Sequence, residues 1–154
     1  MKKVSAFTLI ELLIVMAVIA ILIGIAIPSF RGMQIEARQT RAQGDTRTLK
    51  VAAEAYYKDH NNIYSTANTS GTQTWEAALV AAVPQILPAV IYDPFGATST
   101  TQYSFKTDTG ATSTARYYVI YSVGPSGAGS VSVATNGTVT VSGDAIWATN
   151  GYYP

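Results

Sequence analysis

The 154-residue sequence contains no cysteine and only one histidine, His60. Without cysteine the chain has no disulfide framework, no zinc knuckle and no thiol nucleophile, and a single histidine excludes multi-histidine metal sites. Charged residues are also sparse, at 12%, with 10 basic against 9 acidic side chains. Because the net charge is only +1, there is no basic excess to neutralise a phosphate backbone. We therefore expect one small domain with no nucleic-acid partner and no imidazole or thiol catalysis.

Charge is missing above all from the stretch between Leu12 and Phe30, which is almost entirely aliphatic. As a helix rising about 1.5 Å per residue, this stretch spans roughly 28 Å, close to the hydrocarbon thickness of a bilayer. Lys2 and Lys3 precede it as a small basic head. Positive charge before a span predicts that this end stays cytoplasmic and that the remainder is exported.

A lone acid, Glu11, lies at the start of the apolar stretch. A carboxylate at such a position costs on the order of 2 to 3 kcal/mol on insertion scales. A secretory signal peptide cut after Ala26, with Gly24 as the other small residue, is one alternative, but it has no use for this acid. Another is that Glu11 simply stays hydrated at the headgroup level. A functional role requires a cation nearby, which is a leader lysine or a newly made amino terminus.

The residues around Glu11 resemble a known family. The sequence Ser5-Ala6-Phe7-Thr8-Leu9-Ile10-Glu11-Leu12-Leu13-Ile14-Val15 resembles the leader and N-terminal helix of type IV prepilins and type II secretion pseudopilins. The resemblance implies that a prepilin peptidase cuts between Ala6 and Phe7 and methylates the new amino terminus of Phe7. Residues 1–6 are then the leader, and residues 7–30 are the membrane-spanning and filament-core helix. Most family members have glycine before the cut, but Ala6 is also small and we expect processing to occur.

The resemblance also gives roles to Glu11 and Pro28. The α-amino group of Phe7 would be largely cationic at neutral pH, with a reference pKa of about 7.7, and methylation would preserve its charge. A pair between this amine and Glu11 of the next subunit would compensate two groups that are costly in an apolar environment, and would set the axial register. Pro28 occupies the position of the family's helix-kinking proline, so we expect a kink or local opening there.

The helix is predicted to continue beyond the membrane, because no proline lies between Met33 and Asp59. Apolar residues recur there at i, i+3, i+4 and i+7, which predicts one buried stripe: Leu49, Ala52, Ala53 and Tyr56. Asp45 lies one turn from Arg41 and can approach it. The opposite face carries mostly basic side chains, which fits either a solvated face or an anionic partner: Arg38, Arg41, Arg47, Lys50, Glu54 and Lys58.

The remainder of the chain is rich in Thr, Ser, Gly, Asn and Tyr, a composition typical of β-structure. A short helix is predicted from Trp75 to Val83, and Asn136-Gly137 predicts a type I′ hairpin. Strands are predicted at Gln102–Lys106, Arg116–Ser122, Ser130–Ala134 and Thr138–Val141. We therefore predict an α+β pilin fold, in which the long N-terminal helix packs on a small antiparallel sheet of three or four strands. Residues 31–154 would form the exported globular domain, with the helix continuing to about residue 59.

The C-terminal half resembles the major pseudopilins through Tyr92-Asp93-Pro94-Phe95-Gly96 and Gly143-Asp144-Ala145-Ile146. Members of that group often bind calcium in the last loop, where this chain has Ser126 and Asp144. Calcium requires about six to eight oxygen ligands, several of them carboxylates, and Asp144 is the one acidic side chain after Asp108. We therefore expect no metal and no cofactor, with Asp144 as a weak calcium candidate that more simply caps a turn.

Together these features predict a non-enzymatic structural subunit of a type IV pilus. The resemblance implies four kinds of partner: further copies of the chain in a helical homopolymer, the prepilin peptidase, an inner-membrane assembly platform with minor pilins, and membrane lipid before assembly. The protein would cross the bacterial inner membrane once and then enter a surface pilus or a periplasmic pseudopilus. Leu12-Leu13-Ile14-Val15 and Pro28-Ser29-Phe30 favour the pilus. A major pseudopilin of type II secretion and a membrane-anchored binding domain are the alternatives.

Overall fold

The computed structural model describes residues 7–65, 75–111 and 114–153 of the chain. The predicted leader, including Ala6, lies outside the described residues. The chain divides into two units, Met1–Ala37 and Arg38–Pro154. Helix α1, Leu9–Asp59, contributes residues to both units. Its path is helical through position 28, and the kink expected at Pro28 stays a prediction.

In the first unit, every side chain that the structure describes between Phe7 and Ala37 is exposed. Large apolar residues dominate this surface, with Leu9 at 88% and Ile25 at 70% exposure. A helix that is apolar on all sides requires lipid or other helices around it. Among the described residues, α1 is the one helix that is long and apolar enough to cross a bilayer.

The second unit combines the C-terminal part of α1 with a short helix and five strands. Helix α2 spans Trp75–Ala81, and Pro84 follows it after a cis peptide bond from Val83. The strands are β1 (Ser104–Thr107), β2 (Tyr118–Ser122), β3 (Ser130–Val133), β4 (Val139–Ser142) and β5 (Ile146–Thr149). Strands β1, β2 and β5 form an antiparallel sheet with β2 in the centre, and β3 pairs with β4 as a separate hairpin.

The main core lies between α1 and the three-stranded sheet. The predicted stripe of α1 is buried there, with Leu49, Ala52 and Ala53 at 5% exposure or less, and Tyr56 packs partly buried against it. Trp75 of α2 contacts the same cluster, which is completed from the sheet by Phe105, Tyr118 and Ile120. The predicted α+β class, a long helix packed on a small antiparallel sheet, is therefore confirmed.

Strand β2 is buried on both faces because a second apolar cluster covers its other side. Side chains alternate across a strand, so Tyr118 and Ile120 point to the main core while Val119 and Tyr121 point away from it. The β3–β4 hairpin covers the latter pair with Val131, Val133 and Val139. This arrangement divides the strands into two sheets where one sheet of three or four strands was expected.

Two predicted details of the β-structure are wrong. Strand β5 was not anticipated, because its short run around Trp147 lacks a clear alternation of apolar and polar residues and gains order by pairing with β2. The hairpin turn is not type I′, because Gly137 has a φ of 86° but Asn136 does not have a positive φ. The Ala134 amide donates to the Thr138 carbonyl over 2.9 Å, which makes a longer loop with glycine in the left-handed position.

Candidate functional site

Reciprocal hydrogen bonds between Thr8 and Glu11 cap the N-terminus of α1. The Thr8 amide and hydroxyl donate to Oε2 of Glu11 over 2.9 and 2.7 Å, and the Glu11 amide donates to the Thr8 hydroxyl over 3.3 Å. This is a capping box, which supplies partners to amides that a helix N-terminus otherwise leaves unpaired. The sequence Thr-Leu-Ile-Glu therefore caps the helix, a role that was not predicted although the Thr-x-x-Glu pattern indicates it.

The capping box uses only one of the two carboxylate oxygens of Glu11. Both hydrogen bonds from Thr8 end on Oε2, and no described residue donates to Oε1. Glu11 is exposed, and Phe7 beside it is 84% exposed. An oriented carboxylate with an open oxygen can accept a cation from another molecule. The cleavage between Ala6 and Phe7, the methylation of Phe7 and the register role of Glu11 stay predictions.

In the second unit a buried carboxylate, Asp93, connects two loops. Its Oδ1 accepts hydrogen bonds from the Ser122 hydroxyl at 2.7 Å and the Phe95 amide at 2.9 Å, and its Oδ2 accepts from the Val123 amide at 3.2 Å. Asp93 is only 5% exposed. The three donors compensate the burial of its charge and fix the loop after Tyr92 to the end of β2. The motif around Asp93 was noticed in the sequence, but its partner in β2 was not.

The carboxylate of the calcium candidate Asp144 accepts hydrogen bonds from the loop that follows β2. Its carboxylate accepts hydrogen bonds from the Ser126 hydroxyl at 2.5 Å and the Ser126 amide at 2.8 Å. The hydrogen bond from the Ser126 side chain, and then the one from its amide, lower the pKa of Asp144. One carboxylate and one hydroxyl fall short of the oxygen set that calcium requires. Within the described ranges, no three His, Cys, Asp or Glu residues lie close enough to hold a metal.

A third acid, Glu76 of α2, is fully buried and was not anticipated as special. Its Oε2 accepts a hydrogen bond from the Ile91 amide at 2.7 Å, while no described residue pairs with Oε1. Burial raises the pKa of this carboxyl to about 7, although the hydrogen bond from Ile91 opposes the shift. The sequence signal was present, because Glu76 is the one charged residue in an otherwise apolar short helix.

The comparisons with known proteins find a short N-terminal motif and partial matches to fimbrial proteins. The prokaryotic N-terminal methylation motif matches residues 1–27. Two fimbrial proteins of Pseudomonas aeruginosa are each 42% identical over 73 residues, which cover 47% of this chain and 47% of theirs. The type IV major pilin protein PilA of Myxococcus xanthus is 38% identical over 65 residues, or 42% of this chain and 30% of that protein.

The chain therefore spans about half the length, or less, of the curated relatives it matches. No solved structure matches it significantly. The motif and the relatives confirm the resemblance to type IV pilins that the residues around Glu11 indicated.

Proposed function

We propose that this chain is a non-enzymatic structural subunit of a type IV pilus. The observation that carries the proposal is the helix beginning at Leu9. Up to Phe30 its described side chains are all exposed, and all are apolar except Glu11 and Ser29. Such a surface is unsuited to water and suited to lipid first and to identical helices afterwards. The names of the relatives favour a pilus over a secretion pseudopilus.

In this proposal, assembly replaces the lipid around the apolar part of α1 with the helices of neighbouring subunits. Because lipid tails are about as apolar as leucine, the exchange gains little from hydrophobicity, and close packing must provide the cohesion. The open Oε1 of Glu11 then provides what packing lacks, a specific partner for the charged amine of Phe7 in the next copy. One surface that contacts a different surface of the next copy does not close into a ring unless the rotation allows it, and so generates a fibre.

Maturation precedes assembly in this proposal. A prepilin peptidase cuts between Ala6 and Phe7 and methylates Phe7, which leaves a cationic terminus beside Glu11. Lys2 and Lys3 hold the N-terminus on the cytoplasmic side of the inner membrane until then. An inner-membrane assembly platform and minor pilins would receive the mature subunit.

Intact-mass measurement of the protein from sheared surface fibres tests the proposal. We expect a chain that begins at Phe7 and carries one added methyl group. A mass that begins at Ile27 would identify a secretory signal instead, and a mass that retains Met1 would contradict maturation. A cell fraction in which the mature protein stays in the membrane and no fibres form would favour the anchored binding domain.

A further inference from the structure

A polar groove of about 480 Å³ lies on the second unit, between α1 and the loop that contains Asp93. Arg38 and Arg41, one turn apart on α1, form one wall, and Thr98 and Ser99 belong to the other. Both arginines are exposed. Two guanidinium groups with neighbouring hydroxyls make a concave surface that favours a carboxylate or another small anion.

The loop wall of the groove is held in place by its own hydrogen bonds. The Asp93 amide donates to the Thr101 carbonyl over 2.8 Å, and the Thr98 amide donates to the Thr101 hydroxyl over 3.0 Å. Gly96 lies directly against the Thr101 side chain and leaves no room for a Cβ atom. The buried Asp93 carboxylate in this wall already has three donors. The groove is therefore preorganised, which lowers the entropic cost of binding.

The positive charge in the groove is only partly neutralised. Arg41 approaches Asp45 at 3.4 Å, and this is the one ion pair among the residues that the structure describes. Arg38 has no hydrogen-bond or ion-pair partner within those residues. An exposed arginine alone is ordinarily just solvated. An arginine at the wall of a rigid polar groove is different, because a bound carboxylate would meet several donors at once.

One acidic side chain of the chain itself remains without a partner. All the acids lie within the described residues, and every one except Asp59 has an interaction there. Asp59 is exposed at the last residue of α1, next to Lys58. At 1.5 Å per residue it lies about 32 Å from Arg38 along the helix axis. The second unit thus carries an unpaired acid at one end of its helix and a basic groove at the other.

We propose that the Arg38–Arg41 groove receives the Asp59 carboxylate of a second copy of this chain. This inference rests on the proposed function, and it adds a contact between globular parts to the contact between N-terminal helices. Because the groove and the acid lie at opposite ends of the part of α1 that belongs to the second unit, each copy can accept an acid at one end and offer one at the other. Such a contact is heterologous and repeats along a fibre.

Charge reversal tests the pairing through the yield of sheared fibres. Arg38→Asp and Asp59→Arg should each lower the yield about tenfold or more, since like charges then meet in the contact. The double variant Arg38→Asp/Asp59→Arg should restore the yield to within about twofold of wild type. Arg47→Asp is the matched control, because Arg47 is exposed on the same helix and does not line the groove. All variants should be processed and inserted in the membrane normally.

Cysteine cross-linking gives an independent measurement, because the native chain has no cysteine to interfere. Fibres of Arg38→Cys/Asp59→Cys, treated with a short bifunctional maleimide, should give a ladder of dimers, trimers and higher species. Arg47→Cys/Asp59→Cys should give little product. Cross-linking that stops at dimers would mean a two-fold contact and would overturn the head-to-tail arrangement.

The results of these experiments distinguish a failure of the groove contact from a failure of the proposed pilus function. If wild-type fibres form and either single reversal leaves the yield unchanged, the groove contact is wrong while the pilus proposal stands. If both reversals reduce the yield but the double variant does not recover, Arg38 and Asp59 act through separate contacts and the pairing is overturned. If the wild-type chain forms no fibres, the proposed function fails first and the contact fails with it.

Discussion

The hydroxyl of Tyr103 donates a hydrogen bond over 3.0 Å to the Asp45 carboxylate, which lies 58 positions earlier in the chain. The same arrangement recurs further along α1, where the Tyr118 hydroxyl donates to Glu54 over 2.9 Å. Both tyrosine rings are fully buried in the main core, so each hydroxyl needs a partner at its edge. Two acids of α1 thereby fix the helix against the chain segment that contains β1 and β2.

Removal of either hydroxyl should destabilise the fold by a similar amount. Tyr103→Phe and Tyr118→Phe each lose a hydrogen bond to a charged group, so we expect about 1.5 to 3 kcal/mol of stability to be lost. Denaturant unfolding of the full chain in detergent measures this. Tyr153→Phe is the control, because its side chain is 61% exposed. A loss no larger than that of the control would contradict the role of these hydrogen bonds.

Glu76 should make stability depend on pH. Burial raises the pKa of its carboxyl from 4.5 to about 7, while Asp45 nearby also favours the neutral form. The folded chain therefore holds a proton that the unfolded chain releases between these values, and stability falls as pH rises from about 4.5 through 7. The expected decrease is on the order of 3 kcal/mol.

Glu76→Gln removes the titrating group and nearly preserves its shape. The variant should match wild type near pH 4 and be more stable than wild type at pH 8, as measured by unfolding in detergent at both values. Glu36→Gln, at an exposed position of the first unit, should leave the pH dependence as in wild type. A wild-type pH slope that persists in Glu76→Gln would assign the effect to another group.

Gly124 and Gly127 offer a matched pair in one loop. Both have a left-handed φ, 74° and 70°, so alanine at either position should cost about 1 to 2 kcal/mol. A Cβ atom at Gly124 would in addition collide with the carbonyl of Asp144, whereas one at Gly127 would meet nothing within 4 Å. Gly124→Ala should therefore lower the melting temperature clearly more than Gly127→Ala. Equal effects would mean that backbone conformation alone matters here.

Calcium should have no effect on this protein. Because Ser126 already occupies the Asp144 carboxylate, addition of calcium or of a chelator should leave the melting temperature unchanged. Ser126→Asp supplies a second carboxylate at this place, and in that variant we expect calcium to raise the melting temperature. Stabilisation of the wild-type protein by calcium would contradict this interpretation of the loop.

Variants of Glu11 and Thr8 distinguish a role in helix capping from a role in fibre assembly. Thr8→Ala removes the cap and should cost the helix about 1 kcal/mol, which leaves fibres formed at reduced yield. Glu11→Ala also removes the proposed partner of the Phe7 amine, so fibres should be absent while the protein still inserts in the membrane. Electron microscopy and membrane fractionation measure the two properties. Equal fibre yields in the two variants would reduce the role of Glu11 to capping.

The sequence alone determined the features that depend on residues close together in the chain. The spacing of Leu49, Ala52 and Ala53 predicted which face of α1 is buried, because helical periodicity alone brings these residues together. Four of the five strands were anticipated in their approximate places, since alternation and turn residues are also local signals. Arg41 and Asp45 were expected to approach each other for the same reason, one turn apart.

Only the tertiary structure decided what depends on residues distant in the chain. Strand β5 exists because β2 offers it hydrogen bonds, and β2 is buried twice because the hairpin packs on its second face. Asp93 meets Ser122, Glu76 meets Ile91 and Tyr103 meets Asp45 through folding of the whole second unit. No periodic sequence pattern predicts these contacts, because the partners are selected by shape, by burial and by the need to pair every buried polar group.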